Sequence, residues 1–160
     1  MIQNQPVIIR PMLSRDVPVV AQIAKSVMPY SWSEAIFRDC LEGDYQAWVM
    51  VQGSLDIANA VLGFILSLVQ VGEGQILKVA IRQRAQGQGY GRQLVEHALN
   101  EMQQGVQRIF LEVRVSNSQA VAFYQSMGFK AVGQRRDYYR TDDGREDAIV
   151  MERVVEHGSM

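Results

Sequence analysis

The sequence has one cysteine, Cys40, among 160 residues. A single cysteine closes no internal disulfide, and with only two histidines no zinc-ligand spacing can be written. A fold without disulfides fits a reducing compartment. Charge of one sign is also lacking. The chain has 16 basic and 17 acidic residues and a net charge of -1. Such a balance creates no field that gathers nucleic acid or anionic membrane, although a locally basic cleft can still hold a phosphorylated ligand. No apolar run approaches the ~20 residues that span a bilayer. The start, Met1-Ile2-Gln3-Asn4-Gln5-Pro6, lacks a basic segment followed by an apolar one, so no secretory signal is read there. The expected compartment is the cytoplasm. Repeats, low-complexity tracts and linkers are missing as well, and the polar tail 156–160 is expected to be flexible.

Hydrophobic residues make up 48% of the chain, enough to bury a full core. The length suits one domain, expected over residues 1–155. Val7 to Met12 reads as a strand. Ser14 and Asp16 then offer caps for a helix to about Val27. Ser31-Trp32-Ser33-Glu34 has the spacing of a capping box and predicts a helix to about Leu41. Strands are expected at Gln46–Gln52, Ala60–Val71 and Gln75–Ile81, with a turn at Gly72-Glu73-Gly74. Leu94, Val95, Ala98, Leu99 and Met102 recur at helical spacing, and Gly105 stops that helix. Arg108–Val113 reads as a strand, Ser118–Met127 as a helix ended by Gly128, and Lys130–Tyr138 with Asp147–Val154 as a hairpin. The order β-α-α-β-β-β-α-β-α-β-β implies an α/β class with a mixed rather than purely parallel sheet and about four helices.

Between a strand and an amphipathic helix lies Gln86-Gly87-Gln88-Gly89-Tyr90-Gly91. Amide groups in a first helical turn have no internal partner, and the macrodipole adds partial positive charge. Glycines let a backbone approach an anion with no Cβ in the way. Arg92 in that first turn costs an isolated helix ~0.3–1 kcal/mol, a sign that a bound phosphate reverses. The alternative is a glycine-rich turn with no ligand. The P-loop pattern is excluded, because no Lys follows the last glycine. The dinucleotide pattern needs Gly-x-Gly-x-x-Gly. The glycines here run Gly-x-Gly-x-Gly, although Glu112 stands about where that pattern's acidic residue falls.

The loop resembles the acetyl-CoA signature Gln/Arg-x-x-Gly-x-Gly/Ala of the GNAT superfamily of N-acetyltransferases. The frame from Gln86 is preferred, and a frame from Arg84 also fits. Leu111-Glu112-Val113-Arg114-Val115-Ser116-Asn117 and Ala122-Phe123-Tyr124-Gln125-Ser126-Met127-Gly128-Phe129 resemble the second half of the same core. Tyr30-Ser31-Trp32-Ser33-Glu34 and the run from Arg135 to Ala148 are similar to the RimI-type ribosomal-protein alanine N-acetyltransferases. The likeness covers about Trp32 to Met151. It implies a GNAT fold, with a central mixed, mostly antiparallel sheet flanked by about four helices, and acetyl-CoA as co-substrate, with no metal. It also implies Val79, Ala80, Ile81, the loop Gln86 to Gly91, Arg92 and Asn117 as cofactor-binding residues.

Amide formation from a thioester asks for a base for the amine, stabilisation of an oxyanion and a proton for the departing thiolate. An α-amino group has a pKa near ~8, so about a tenth is neutral at pH 7; a lysine at ~10.4 needs roughly three more kcal/mol. Glu112 sits in an otherwise apolar strand, where desolvation suits a base; alternatively it simply faces solvent. The resemblance makes it the proton acceptor. Tyr124 is the candidate acid, or else an aromatic packed on the sheet. Asn117 is placed to cap a helix. Trp32, Tyr138 and Tyr139 are candidates for the acceptor groove, and single aromatics are equally core residues. Cys40, beside Asp39 with no basic partner, reads as a buried thiol. His97 reads as a helix-surface residue and His157 as part of the tail.

The reading is direct transfer of acetyl to a protein N-terminus, since no activated Ser or Cys nucleophile is evident. By resemblance the acceptor is the N-terminal alanine of a small-subunit ribosomal protein, bS18. The enzyme is expected to act as a monomer, with no nucleic-acid or membrane partner. Two rivals remain: the same chemistry on lysine side chains or small amines, and a non-catalytic acyl-CoA-binding module.

Overall fold

A computed structural model describes residues 6–28, 30–53, 60–102 and 105–155; the tail expected to be flexible lies outside them. Seven strands and four helices alternate as the sequence predicts: β1 (Val7–Pro11), α1 (Val17–Val27), α2 (Glu34–Glu42), β2 (Tyr45–Gln52), β3 (Val61–Gln70), β4 (Glu73–Ile81), α3 (Tyr90–Met102), β5 (Arg108–Arg114), α4 (Ser118–Ser126), β6 (Lys130–Thr141) and β7 (Gly144–Val154). In hydrogen-bonded order the strands run β1-β2-β3-β4-β5-β7-β6. Strands β1/β2, β2/β3, β5/β7 and β6/β7 pair antiparallel, and β4/β5 pair parallel. The sheet is therefore mixed and mostly antiparallel.

The contacts divide the chain into two compact units. One holds residues up to 68 together with 77–102, and the other holds 69–76 together with the chain from 105 onward. In the first unit, Val17, Val20, Phe37, Val49 and Phe64 form the heart of the core, with Ala80 of β4 beside them. Asp16 is buried, and its carboxylate takes both Nη groups of Arg10, at 2.7 and 2.9 Å, and the amide of Leu13 at 2.8 Å. It therefore ties β1 to the entrance of α1 rather than capping the helix, as the sequence had suggested. Gly63 matters in the middle of β3. A Cβ there would stand 2.5 Å from the carbonyl oxygen of Ala80, so only glycine lets β3 and β4 lie this close.

Two local expectations move. Helix α2 starts at Glu34, and its N-cap is Ser33, whose hydroxyl accepts from the Ile36 amide at 3.4 Å. The Ser31–Glu34 capping box is therefore not formed; the chain stays extended two residues longer. The turn before β4 is Val71-Gly72, both left-handed (φ 48° and 79°), as a two-residue hairpin turn demands. Glu73 and Gly74 already belong to the strand.

In the second unit, β5 alternates cleanly. Ile109, Leu111 and Val113 are buried, while Phe110, Glu112 and Arg114 share the other face. Helix α4 ends at Ser126 with Met127 as its C-cap, left-handed Gly128 (φ 91°) follows, and Arg153 donates to the Met127 carbonyl at 3.1 Å, which satisfies a helix-end acceptor. Thr141 pairs with Gly144 across the tight turn Asp142-Asp143.

Candidate active site

The glycine loop in the first unit has the form an anion needs. Gly87 and Gly89 are both left-handed (φ 81° and 84°) and exposed, and a Cβ on either would meet nothing within 4 Å. The backbone is thus turned into a conformation that other residues resist, and the space beside it is open. Helix α3 begins at Tyr90, so its first amides lie directly after this turn. Gln86 donates from Nε2 to the Ile81 carbonyl at 2.9 Å and pins the loop to the end of β4. That side chain is therefore committed to the loop itself. Gly91 and Arg92 sit in the first turn of α3. Val79 and Ile81 are half-buried and Ala80 is buried.

Trp32 belongs to the first unit too. Its ring tilts on Phe37 at 5.7 Å, and the Lys78 ammonium lies 4.9 Å from its centroid. It forms part of the lining of an open cleft of about 840 Å³ with Pro18, Lys25, Tyr30 and Glu34. Trp32 thus has a core edge and a cleft edge at once.

The second unit gathers Glu112, Tyr124, Tyr138 and Tyr139. Glu112 is neither in the core nor facing solvent. Its side chain is only 11% exposed, and it lies on the β5 face away from Leu111 and Val113. Arg135 of β6 places Nε 3.2 Å from Oε1, while Oε2 is buried with no hydrogen-bond partner. Arg135 is 57% exposed, so its guanidinium is held on the carboxylate from the solvent side. Burial, and after it the nearby Glu112 carboxylate, raises the pKa of Tyr138. Tyr139 donates its hydroxyl to the Glu112 carbonyl oxygen at 3.0 Å, and burial and the nearby carboxylate push its pKa up to about 12.

A break in the β6/β7 register between Arg135 and Tyr139 aims these groups. Asp137 sits there at φ 50°, and its amide donates to Asp147 Oδ1 at 2.9 Å. Such a bulge re-aims the side chains on either side of it. Arg135 and Arg114, which sequence reasoning did not assign, are part of this cluster. The run from Arg135 to Ala148 was singled out, but an ion pair formed across strands leaves no spacing in the sequence.

Tyr124 is the one buried residue of α4. Its ring meets Phe123 at 5.0 Å and Phe129 at 5.7 Å. Burial, with Tyr139 nearby, raises its pKa well above the ordinary range. Asn117 caps this helix, its Oδ1 accepting from the Ala120 amide at 3.1 Å, which is the role its position suggests. Cys40 is buried and its pKa is raised, first by burial, as expected of an inert thiol. His97 differs from the surface residue expected: it is half-buried, with its ring 4.4 Å from that of Trp48.

The tyrosine shifts predict an alkaline limit to stability. Folded pKa values above the unfolded ~10 favour the native state below pH 10, and this contribution is lost as pH rises beyond it. The melting temperature should hold steady from pH 8 to about 10 and then decline. Tyr124→Phe should blunt the decline, and an equal decline in that variant would remove Tyr124 as its source.

Residues 17–129 match the model of the acetyltransferase (GNAT) family. The chain is 36% identical over 137 residues to the [ribosomal protein bS18]-alanine N-acetyltransferase of Escherichia coli K12, covering 85% of this chain and 89% of the relative. The crystal structure of the E. coli ribosomal-protein-S18-alanine N-acetyltransferase superposes with a TM-score of 0.86 at 32% identity, over 96% of this chain and 97% of that one. Arabidopsis thaliana NAA60 in complex with acetyl-CoA shares the fold, with a TM-score of 0.84 at 16% identity over 94% and 99% of the two chains. Among the described residues no helix is long and apolar enough to cross a membrane. With the family match spanning most of the chain and a relative 36% identical over 85% of it, the protein belongs to the GNAT family of acetyltransferases and uses acetyl-CoA as its acetyl donor.

Proposed function

We propose that this enzyme acetylates the N-terminal alanine of ribosomal protein bS18, in the cytoplasm. Its relatives at 36% and 32% identity are named for that reaction. One observation carries the chemistry: a nearly buried carboxylate, Glu112, with one oxygen held by Arg135 and the other unpartnered. A buried acceptor without a donor is costly unless something supplies one, and the amine to be acetylated is such a donor. In this reading Glu112 takes the proton of the acceptor amine as its nitrogen attacks the thioester carbonyl carbon. The carbon–sulfur bond then breaks, and the Tyr124 hydroxyl donates to the leaving thiolate. Gly87, Gln88, Gly89, Tyr90, Gly91 and Arg92 hold the pyrophosphate of acetyl-CoA, Gln86 fixes their loop, and Val79, Ala80, Ile81 and Asn117 complete the cofactor contacts. Trp32, Tyr138 and Tyr139 border the acceptor.

A peptide panel tests this. CoA release should be fastest with the N-terminal bS18 peptide bearing a free alanine, and should vanish when that terminus is blocked. Preference for a blocked peptide carrying lysine, or for a small polyamine, would move the acceptor. CoA binding with no release for any amine would leave only a binding module.

The loop has its own test. Gly89→Val confounds two effects, because Gly89 is left-handed (φ 84°) and any side chain there is strained. Gly91 is helical and not left-handed, so Gly91→Val adds bulk at the first turn without that backbone strain. CoA should raise the melting temperature of the native enzyme. The Gly91→Val variant should melt within a few degrees of it, yet gain little from CoA. Full stabilisation by CoA in that variant would sink the loop assignment.

A further inference from the structure

The family-like run ends in Gly144-Arg145-Glu146-Asp147-Ala148, of which the reaction above uses nothing. Glu146 opens onto a buried-edge network in the second unit. Its Oε1 lies 3.0 Å from Arg114 Nη1, and both side chains are 18% exposed. Ser116 donates its hydroxyl to Oε1 at 3.1 Å and its amide to Oε2 at 3.3 Å. These hydrogen bonds from Ser116 and Arg114 lower the Glu146 pKa, so the group is a carboxylate at every pH of interest. Arg114 Nη1 also donates to the Arg140 carbonyl at 2.8 Å, and its guanidinium carbon lies 4.6 Å from the Tyr139 ring centroid.

This carboxylate therefore touches two things that matter. Through Ser116 it fixes the turn 115–117, whose Asn117 caps α4, the helix of Tyr124. Through Arg114 it sets the ring of Tyr139, whose hydroxyl holds the main chain of Glu112. Asp147 next to it points to the other side of β7 and holds the Asp137 bulge. Strand alternation thus gives neighbouring acids two separate posts.

We infer that Glu146, acting through its ion pair with Arg114, is a positioning residue for acetyl transfer, which aligns Tyr139 and the turn that launches the Tyr124 helix. Charge-assisted bonds to one carboxylate from a strand end and a turn are stiff and directional. Small errors in the placement of reacting groups cost rate out of proportion to their effect on stability. The inference rests on the roles given above to Glu112 and Tyr124.

The test is steady-state kinetics with the bS18 N-terminal peptide, run well below each variant's melting temperature. Glu146→Gln should lower kcat by on the order of 10-fold to 10²-fold while KM for acetyl-CoA stays within about twofold of the native enzyme. Arg114→Lys keeps the charge but loses the planar fork, and should behave alike. Glu146→Asp should recover part of the loss. Since the two side chains act as one unit, the double variant should be no worse than the poorer single one. A folded Glu146→Gln enzyme with native kcat, or losses that multiply in the double variant, would overturn the inference. Failure of the underlying roles shows elsewhere, as full activity in Glu112→Gln or Tyr124→Phe, in which Glu146 is untouched.

Discussion

Glu112→Gln is expected to lower turnover at pH 7 by ~10²–10⁴-fold without unfolding the enzyme. The amide keeps the shape of a side chain that is 11% exposed, and the partner it releases, Arg135, is already 57% exposed and returns to water. The loss should not be uniform in pH. Once the acceptor amine is itself deprotonated, water and hydroxide take over from the missing base. The pH at which activity recovers therefore reports the acceptor: about pH 8 for an N-terminal amine and about pH 10 for lysine. A flat deficit across pH would mean that Glu112 orients the substrate and takes no proton. The two outcomes differ in the slope of log kcat/KM against pH, which a single series of buffers measures.

What the sequence made legible was local. The strand-to-helix glycine loop was readable because strand alternation, helical spacing and glycine all leave marks within a dozen residues. The left-handed angles at Gly87 and Gly89 are the physical reason for two of those marks. The strand setting of Glu112 was equally readable, since Ile109, Leu111 and Val113 define one face and place it on the other. The cover over Glu112 was not. It comes from Arg135, Tyr138 and Tyr139, 23 to 27 residues away, and depends on a register break whose only local trace is a non-glycine residue, Asp137, at φ 50°. Arg114 and Glu146 are 32 residues apart, and no spacing rule joins them. Only Ser31 has the Glu three residues on that a capping box needs, yet the helix starts two residues later and Ser33, with Ile36 at that place, is the cap; the spacing rule does not see the extended path that decides it. Gly63 passed unnoticed for a similar reason: the carbonyl it must avoid belongs to another strand.

Tyr124→Phe is expected to cost on the order of 10²-fold in kcat at pH 7, with near-native CoA binding and an intact fold. The ring stays, and with it the contacts to Phe123 and Phe129; only the hydroxyl goes. The environment also says what kind of donor that hydroxyl is. Burial, and after it Tyr139, raises its pKa, whereas an ordinary thiol ionises near ~8.5. Complete proton transfer from this tyrosine to a thiolate is therefore uphill. The group serves best as a neutral hydrogen-bond donor that stabilises charge growing on sulfur as the carbon–sulfur bond lengthens. A group so shifted stays protonated through the working range, so native kcat should show no fall due to Tyr124 between pH 7 and 10. An acyl donor with a better leaving thiol should need the hydroxyl less, and the Tyr124→Phe deficit should narrow with it. A deficit that is the same for good and poor leaving groups would place Tyr124 in packing rather than in chemistry, and native activity in Tyr124→Phe would do so at once.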